Sequence, residues 1–332
     1  MTAVTDAGHD DGSVDAVDTA EGGVDGVVDP APKGRRFRRS PRPQEGSLPP
    51  LTPRAQLARG VLVLVAVVSL CLVLQLVILS GFQERSAQQT AFNSFRGQLA
   101  KGTAPVGAVN SDNKALRPGT PMAYLEIPSI GLRQVVLEGT TSGVLFDGPG
   151  HRRDSPFPGE TGTTVIMGRR ATYAGPFSQI KDLQEGDPIK VTTGAGEFDY
   201  EVIGVRKEGE PSPPALQAGE GRMLLVTADG RPYLPDGVLR VDAKLTSKPF
   251  SASKTAYTAK TLPASDVIMA SDTTTLWALA LWMQALLIVT VGFVWAWHRW
   301  GRAKAWIVGF PVLLLVGLMV ADQVARLLPN LL

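Results

Sequence analysis

The feature that most limits how this chain can fold is where its apolar residues are gathered. Val61 to Ser80 reads VLVLVAVVSLCLVLQLVILS and Leu276 to Trp297 reads LWALALWMQALLIVTVGFVWAW, and neither run contains a charged residue. A helix needs about 20 apolar residues to cross a hydrocarbon core about 30 Å thick, so each run is long enough. A third stretch, Ala305 to Ala321, is shorter and is followed by Asp322 and Arg326, which give it a polar end. The alternative for any of the three is a buried core helix, and uncharged length argues against that most strongly for the first two. The first run begins too late and extends too long for a secretory signal, whose apolar region spans about 7–15 residues, so it reads as an anchor.

Charge sets the expected orientation. Lys33, Arg35, Arg36, Arg38, Arg39, Arg42, Arg54 and Arg59 precede the first run, opposed there only by Glu45, which places the N-terminal side in the cytoplasm. Arg299, Arg302 and Lys304, between the second and third runs, agree with three crossings from that start. Trp277, Trp282, Trp295, Trp297, Trp300 and Trp306 cluster near the expected membrane boundaries. Gly81 to Asp272 is then external. The expected organisation is a cytoplasmic tail over 1–58, a span over 59–81, a juxtamembrane helix and linker over 82–120, a folded domain over 121–246 and a linker over 247–274. A second span over 275–297, a cytoplasmic loop over 298–304 and a third span over 305–328 complete it.

Residues 1–31 contain eight acids and no Lys or Arg, with few large apolar side chains, a composition that predicts disorder. GRRFRRSPRPQ follows; it is suited to anionic lipid or serves only as a topology signal. The external segment carries as many acidic as basic residues, and the whole chain has a net charge of +2, which argues against a nucleic-acid binder. Phe92, Phe95 and Leu99 fall at helical spacing. Beyond Thr120 the period becomes two. Phe198, Tyr200 and Val202 alternate with Glu197, Asp199 and Glu201, and Leu239, Val241, Ala243 and Leu245 alternate with Arg240, Asp242 and Lys244. Further strands are expected at 123–127, 134–137, 164–167, 189–193 and 223–227, with a short helix over 176–183. Many short strands with Gly/Pro turns predict a small barrel or sandwich.

A single cysteine, Cys71, excludes an intrachain disulfide, a multi-thiol zinc site and a CxxC motif, and it lies inside the first apolar run. His9 and His298 are cytoplasmic on this topology, leaving His151, in the GPGH turn, as the only external histidine, so no pair of histidines shares an external metal site. No metal and no cofactor is expected.

AYLEIPSIGL, VVLEGT, LFDGPGH, PGETGTTVIMGRR, GPFSQIKDLQEGDPIKV, FDYEV and LLVTADG occur in this order over residues 122–245. In these blocks the chain resembles the sortase family of cysteine transpeptidases. The resemblance implies a mostly β external domain, an eight-stranded sortase-type barrel beside three transmembrane helices, on the surface of a Gram-positive, actinobacterial cell. Family enzymes cleave a sorting signal through a thioacyl intermediate and join the product to cell wall or to another protein. They use a cysteine in a T-C motif, a histidine in a G-H-R motif and an arginine near the last strand. Here the T-C position reads Thr227-Ala228 and the G-H-R position Gly168-Arg169-Arg170. Arg240 in VLRVDAKL lies two or three residues past the family arginine, with Arg231 as the other choice.

A methyl group cannot form a thioester, and a guanidinium stays protonated near neutral pH and cannot serve as a base. The expectation is therefore a pseudoenzyme, with Arg169, Ala228 and Arg240 as vestigial positions. Such a protein would bind or scaffold a cell-surface or secreted protein segment. Arg169, Arg170, Thr227, Asp229 and His151 are the candidate binding residues, and the arginines make an anionic or carboxylate-bearing segment a natural ligand. Opposed to this is the reading that both arginines only solvate the barrel rim. The alternative function is an active transpeptidase or hydrolase using unorthodox residues, Thr227 activated by His151. A third reading makes the spans the functional part, with Asp322 and Arg326 as polar contacts and the barrel as a sensor.

Overall fold

The structure, a computed structural model, describes residues 52–110, 114–251, 253 and 255–332. The tail expected to be disordered lies outside these residues up to Leu51. Helix α1 (Pro53–Leu74) starts where Thr52 accepts a hydrogen bond from the Ala55 N–H and Pro53 supplies a preset φ, earlier than the apolar run itself. It does not stop at the expected boundary. A π-helical turn (Gln75–Leu79) joins it to α2 (Ser80–Lys101), which ends at Gly102 in the left-handed region, φ 65°. The anchor and the juxtamembrane helix are one rod.

Helix α2 lies against the barrel wall. Phe95 is buried, Phe92 packs on Tyr124 with ring centroids 5.3 Å apart, and Gln88 bridges to the barrel with its whole amide. The Gln88 Nε2 donates to the carbonyls of Val135 (3.0 Å) and Asp147 (2.8 Å), while its Oε1 accepts from the Val135 N–H (2.7 Å).

Eight strands close into a barrel: β1 (Pro121–Ile127), β2 (Leu132–Glu138), β3 (Gly150–His151), β4 (Gly162–Met167), β5 (Pro188–Thr193), β6 (Gly196–Lys207), β7 (Gly221–Arg231) and β8 (Leu234–Leu245), in the order β1-β2-β3-β4-β7-β8-β6-β5. β2–β3 and β4–β7 pair in parallel and the other neighbours antiparallel. Each strand expected from period-two alternation is present. The interior is filled by Met122, Leu125, Ile166, Met223, Leu225 and Val241 among others, all fully buried. Asp242, expected to face solvent on β8, is buried instead, because Arg206 of the neighbouring β6 reaches it at 2.6 Å.

Three local expectations need correction. The helix over 176–183 is a single 3-10 turn, Ile180–Asp182, following a bend in which Gly175 takes φ 51°. The GPGH segment is a strand end, since Gly150 and His151 pair with Met167 and Ile166. The loop over 298–304 shrinks to Gly301, because α3 (Leu276–Trp300) and α4 (Arg302–Leu327) meet there, and φ 86° with ψ 163° favours glycine. Phe293, Trp297, Trp306 and Phe310 pack around that corner.

Three helical segments are long and apolar enough to cross a membrane. Helix α4 continues through Asp322 and Arg326, which form an ion pair one turn apart at 3.2 Å, and packs on both α3 and α1. Cys71 is buried at the α1–α4 contact, where a methyl added to Gly317 would lie 2.8 Å from its Sγ. Its role is packing between helices.

Candidate functional site

Successive side chains of a strand point to opposite faces. On β7, Met223 and Leu225 enter the barrel core, so Val226 and Ala228 belong to the outer face, where they pack with Val165 and Met167 of β4 and Val238 of β8. The same alternation carries Arg240, two beyond Val238 on β8, to that outer face, and Arg169, two residues past the end of β4, meets the segment that covers it through the Leu332 carbonyl. Ala228 and Arg240 therefore share one face of the adjacent strands β7 and β8, with Arg169 just beyond the end of the neighbouring β4. Arg231, opposite Leu234 at the tip of the β7–β8 hairpin, lies at the far end and is exposed.

This surface is covered. Leu331 is fully buried in the cluster formed by Leu145, Val165, Met167, Val226, Ala228 and Val238, with Ile268 and Met269 packed beside it. Helix α4 ends at Leu327, Pro329 precludes its continuation, and the chain then crosses the barrel's outer face. Arg170 N–H donates to the Leu331 carbonyl (3.1 Å) and Thr172 N–H to the Leu332 carbonyl (3.5 Å). The Asn330 amide nitrogen donates to the carbonyls of Thr140 (2.8 Å) and Val267 (2.9 Å), and its backbone N–H donates to Ala270 (2.9 Å). The segment expected as a linker over 247–274 contributes to the cover. Asp266 is buried and accepts from Thr140 N–H (2.8 Å) while its carbonyl accepts from the Thr140 hydroxyl (2.6 Å). Burial pushes the Asp266 carboxyl above its usual range against the lowering effect of these contacts.

Arg169 is fully buried, so it does not solvate the barrel rim. Its Nη1 donates to Thr172 Oγ1 (3.1 Å) and to the Leu332 carbonyl (3.3 Å), and its Nη2 to Ser142 Oγ (2.7 Å) and the Ser142 carbonyl (3.3 Å). The guanidinium carbon lies 4.6 Å from the centre of the Phe146 ring and 5.3 Å from that of Tyr173, and these two rings stack 4.0 Å apart. No carboxylate side chain pairs with Arg169 among the described residues, and burial pushes it down to about 9 against the attraction of Tyr173. Ser142, Phe146, Thr172, Tyr173 and residues 330–332 were not singled out from the sequence. They lie on loops and beyond the end of helix α4, where no periodic pattern marks a shared site.

The remaining candidates divide. Arg170 donates to the Ala228 carbonyl (2.9 Å) and meets Asp229 at 3.5 Å, which Lys207 also reaches at 3.6 Å. Partial burial raises the Asp229 carboxyl, but the Gly230 N–H, Lys207 and Arg170 outweigh it and leave the group below its ordinary value. Thr227 points its hydroxyl at the Gly168 carbonyl (2.8 Å). His151 is fully buried, with Nδ1 3.0 Å from Glu138 and Nε2 3.0 Å from the Pro156 carbonyl and 3.1 Å from Ser155 Oγ. Burial alone would lower its pKa; Glu138, Pro156 and Glu160 more than reverse this. Thr227 and His151 therefore engage different partners, and no hydrogen bond joins them among the described residues. No group of His, Cys, Asp and Glu side chains suited to a metal ion occurs there either.

Residues 125–236 match the family described as Sortase domain. Sortase D of Bacillus subtilis (strain 168) is 29% identical over 148 residues, covering 43% of this chain and 73% of that relative. Among solved structures, a Clostridium perfringens Sortase D5 transpeptidase is 27% identical, with 49% of this chain and 99% of that chain covered and a TM-score of 0.41. Sortase E from Streptomyces avermitilis is 29% identical, with 40% and 91% covered and a TM-score of 0.35. The domain match therefore falls within the eight-stranded closed barrel, and over this part the chain is similar to sortases.

Proposed function

We propose that this protein is a membrane-anchored, sortase-like pseudoenzyme that binds or scaffolds a cell-surface protein segment on the outer side of the membrane without cysteine transpeptidation. One observation carries the reading: where the family resemblance expects a thiol and an imidazole, the covered outer face holds the Ala228 methyl and the Arg169 guanidinium, while the chain's one thiol, Cys71, packs between helices. A covalent mechanism without its nucleophile loses most of its rate enhancement. The three apolar helices supply the anchor, and the basic residues before α1 and around Gly301 favour an external barrel. An anionic segment remains a candidate ligand through Arg169 and Arg170. The Arg169 Nη1 and Nη2 groups are engaged by Ser142, Thr172 and Leu332 and its side chain is fully buried, so an anion reaches it only after residues 330–332 leave.

The test uses the full chain in detergent with sorting-signal peptides. The parent is expected to give neither hydrolysis nor acyl transfer, and the double substitution Ala228→Cys with Arg169→His to give measurable turnover. Turnover by the parent that Thr227→Val abolishes would establish the unorthodox enzyme instead.

A further inference from the structure

The segment after α4 is seated as a peptide ligand would be, with a buried anchor, a side chain read by hydrogen bonds and a backbone held at two carbonyls. Leu331 supplies the anchor, with no exposed surface, in a pocket whose wall includes Ala228. Asn330 is equally buried, and both contacts to its amide nitrogen come from carbonyl oxygens, of Thr140 and Val267, which accept only from a donor. A carboxylate at that place would face two acceptors and be rejected. The carbonyls of Leu331 and Leu332 receive Arg170 N–H, the Thr172 hydroxyl (2.6 Å) and Arg169 Nη1. Arg169 thus clamps the end of the seated segment through the Leu332 oxygen. A cysteine side chain at 228 would add bulk to the pocket wall that Leu331 fills, so the alanine fits the occupant.

We infer that this covered face is a binding groove for an Asn-Leu peptide segment and that this chain's own residues 328–332 are its resident ligand, so that a second protein segment enters only when they withdraw. The inference rests on the groove being a binding rather than a reacting site. Recognition here depends on an amide donor at Asn330 and an aliphatic anchor at Leu331. The occupant is continuous with α4, which packs against α1 and α3, so an event that shifts those helices also acts on access to the groove.

The probe is a fluorescein-labelled peptide, Leu-Leu-Pro-Asn-Leu-Leu, made with a free and with an amidated C-terminus, of which the tighter binder is used, read by anisotropy with the full chain and with a chain lacking residues 328–332, both in detergent. The shortened chain is expected to bind it at least about tenfold more tightly than the full chain, and to lose about tenfold when the peptide Asn is replaced by Asp or its following Leu by Ala. Equal affinity of the two chains, or indifference to the Asp replacement, would overturn the inference. A second measurement does not depend on the truncation folding. With Cys71→Ser and Leu331→Cys in the full chain, maleimide labelling is expected to be roughly a hundredfold slower in native than in denatured protein, and labelling at the denatured rate would also overturn the inference. Peptide cleavage in the same mixtures would remove the non-catalytic reading while leaving the occupancy result intact.

Discussion

Replacing Leu331 by alanine tests how the covering segment is held. The side chain is fully buried among Leu145, Val165, Met167, Val226, Ala228 and Val238, and a buried Leu→Ala change costs about 2–5 kcal/mol. The segment lies at the edge of the fold and collapses more readily than a core, so the lower end, about 2 kcal/mol, applies. The barrel interior does not contain Leu331, so the loss should fall on local opening rather than on global unfolding. At about 1.4 kcal/mol per factor of ten, the open population rises roughly 30-fold. Amide hydrogen exchange reads this directly. The Arg170 N–H donates to Leu331 and is protected only while the segment is seated, whereas the neighbouring Gly168 N–H donates to Val226 inside the barrel. Exchange at Arg170 should accelerate about 30-fold, with Gly168 unchanged. Parallel acceleration of both amides, or of neither, would refute the separation of the segment from the barrel.

Other perturbations probe the scaffold. Because Glu138 and its neighbours raise the His151 pKa above 6.5, the imidazolium is favoured in the folded protein; its stabilisation is complete below that value and disappears as pH rises through the folded pKa. Thermal stability should therefore fall from pH 6 to 9 and His151→Gln should flatten that part of the profile, with an unaltered profile counting against the pair. Gln88→Ala strips partners from the Val135 N–H and carbonyl and the Asp147 carbonyl, and should cost about 1–3 kcal/mol in denaturant unfolding. Gly168→Ala would place a methyl 2.6 Å from the Phe177 ring and should destabilise the barrel by about 1–3 kcal/mol, measured by thermal shift.

Much of the barrel was readable because its strands repeat with period two. β6 buries Phe198, Tyr200 and Val202 and exposes Glu197, Asp199 and Glu201, as the alternation requires. β3 was not readable, since two residues are too few to carry a period. Asp242 broke the pattern for a tertiary reason: its charge is buried beside an arginine on another strand. For the site, Ala228, Arg169 and Arg240 were located by resemblance; alternation then puts Ala228 and Arg240 on one face, while Arg169 joins them only through its contact with Leu332. Arg170 and Asp229 do meet, but His151 belongs to a buried network with Glu138 and Ser155, which its place in a Gly/Pro turn motif did not reveal.

By itself the sequence determined the three long apolar runs, the strands and the absence of a thiol outside the first span, because each is a property of local composition or period. Only the tertiary structure decided what the altered groove contains. Arg169 and Leu332 are 163 positions apart and meet through a helix corner at Gly301 and a break at Pro329. Their pairing depends on which carbonyls and donors the folded loops bring together, and no periodicity in the chain encodes that.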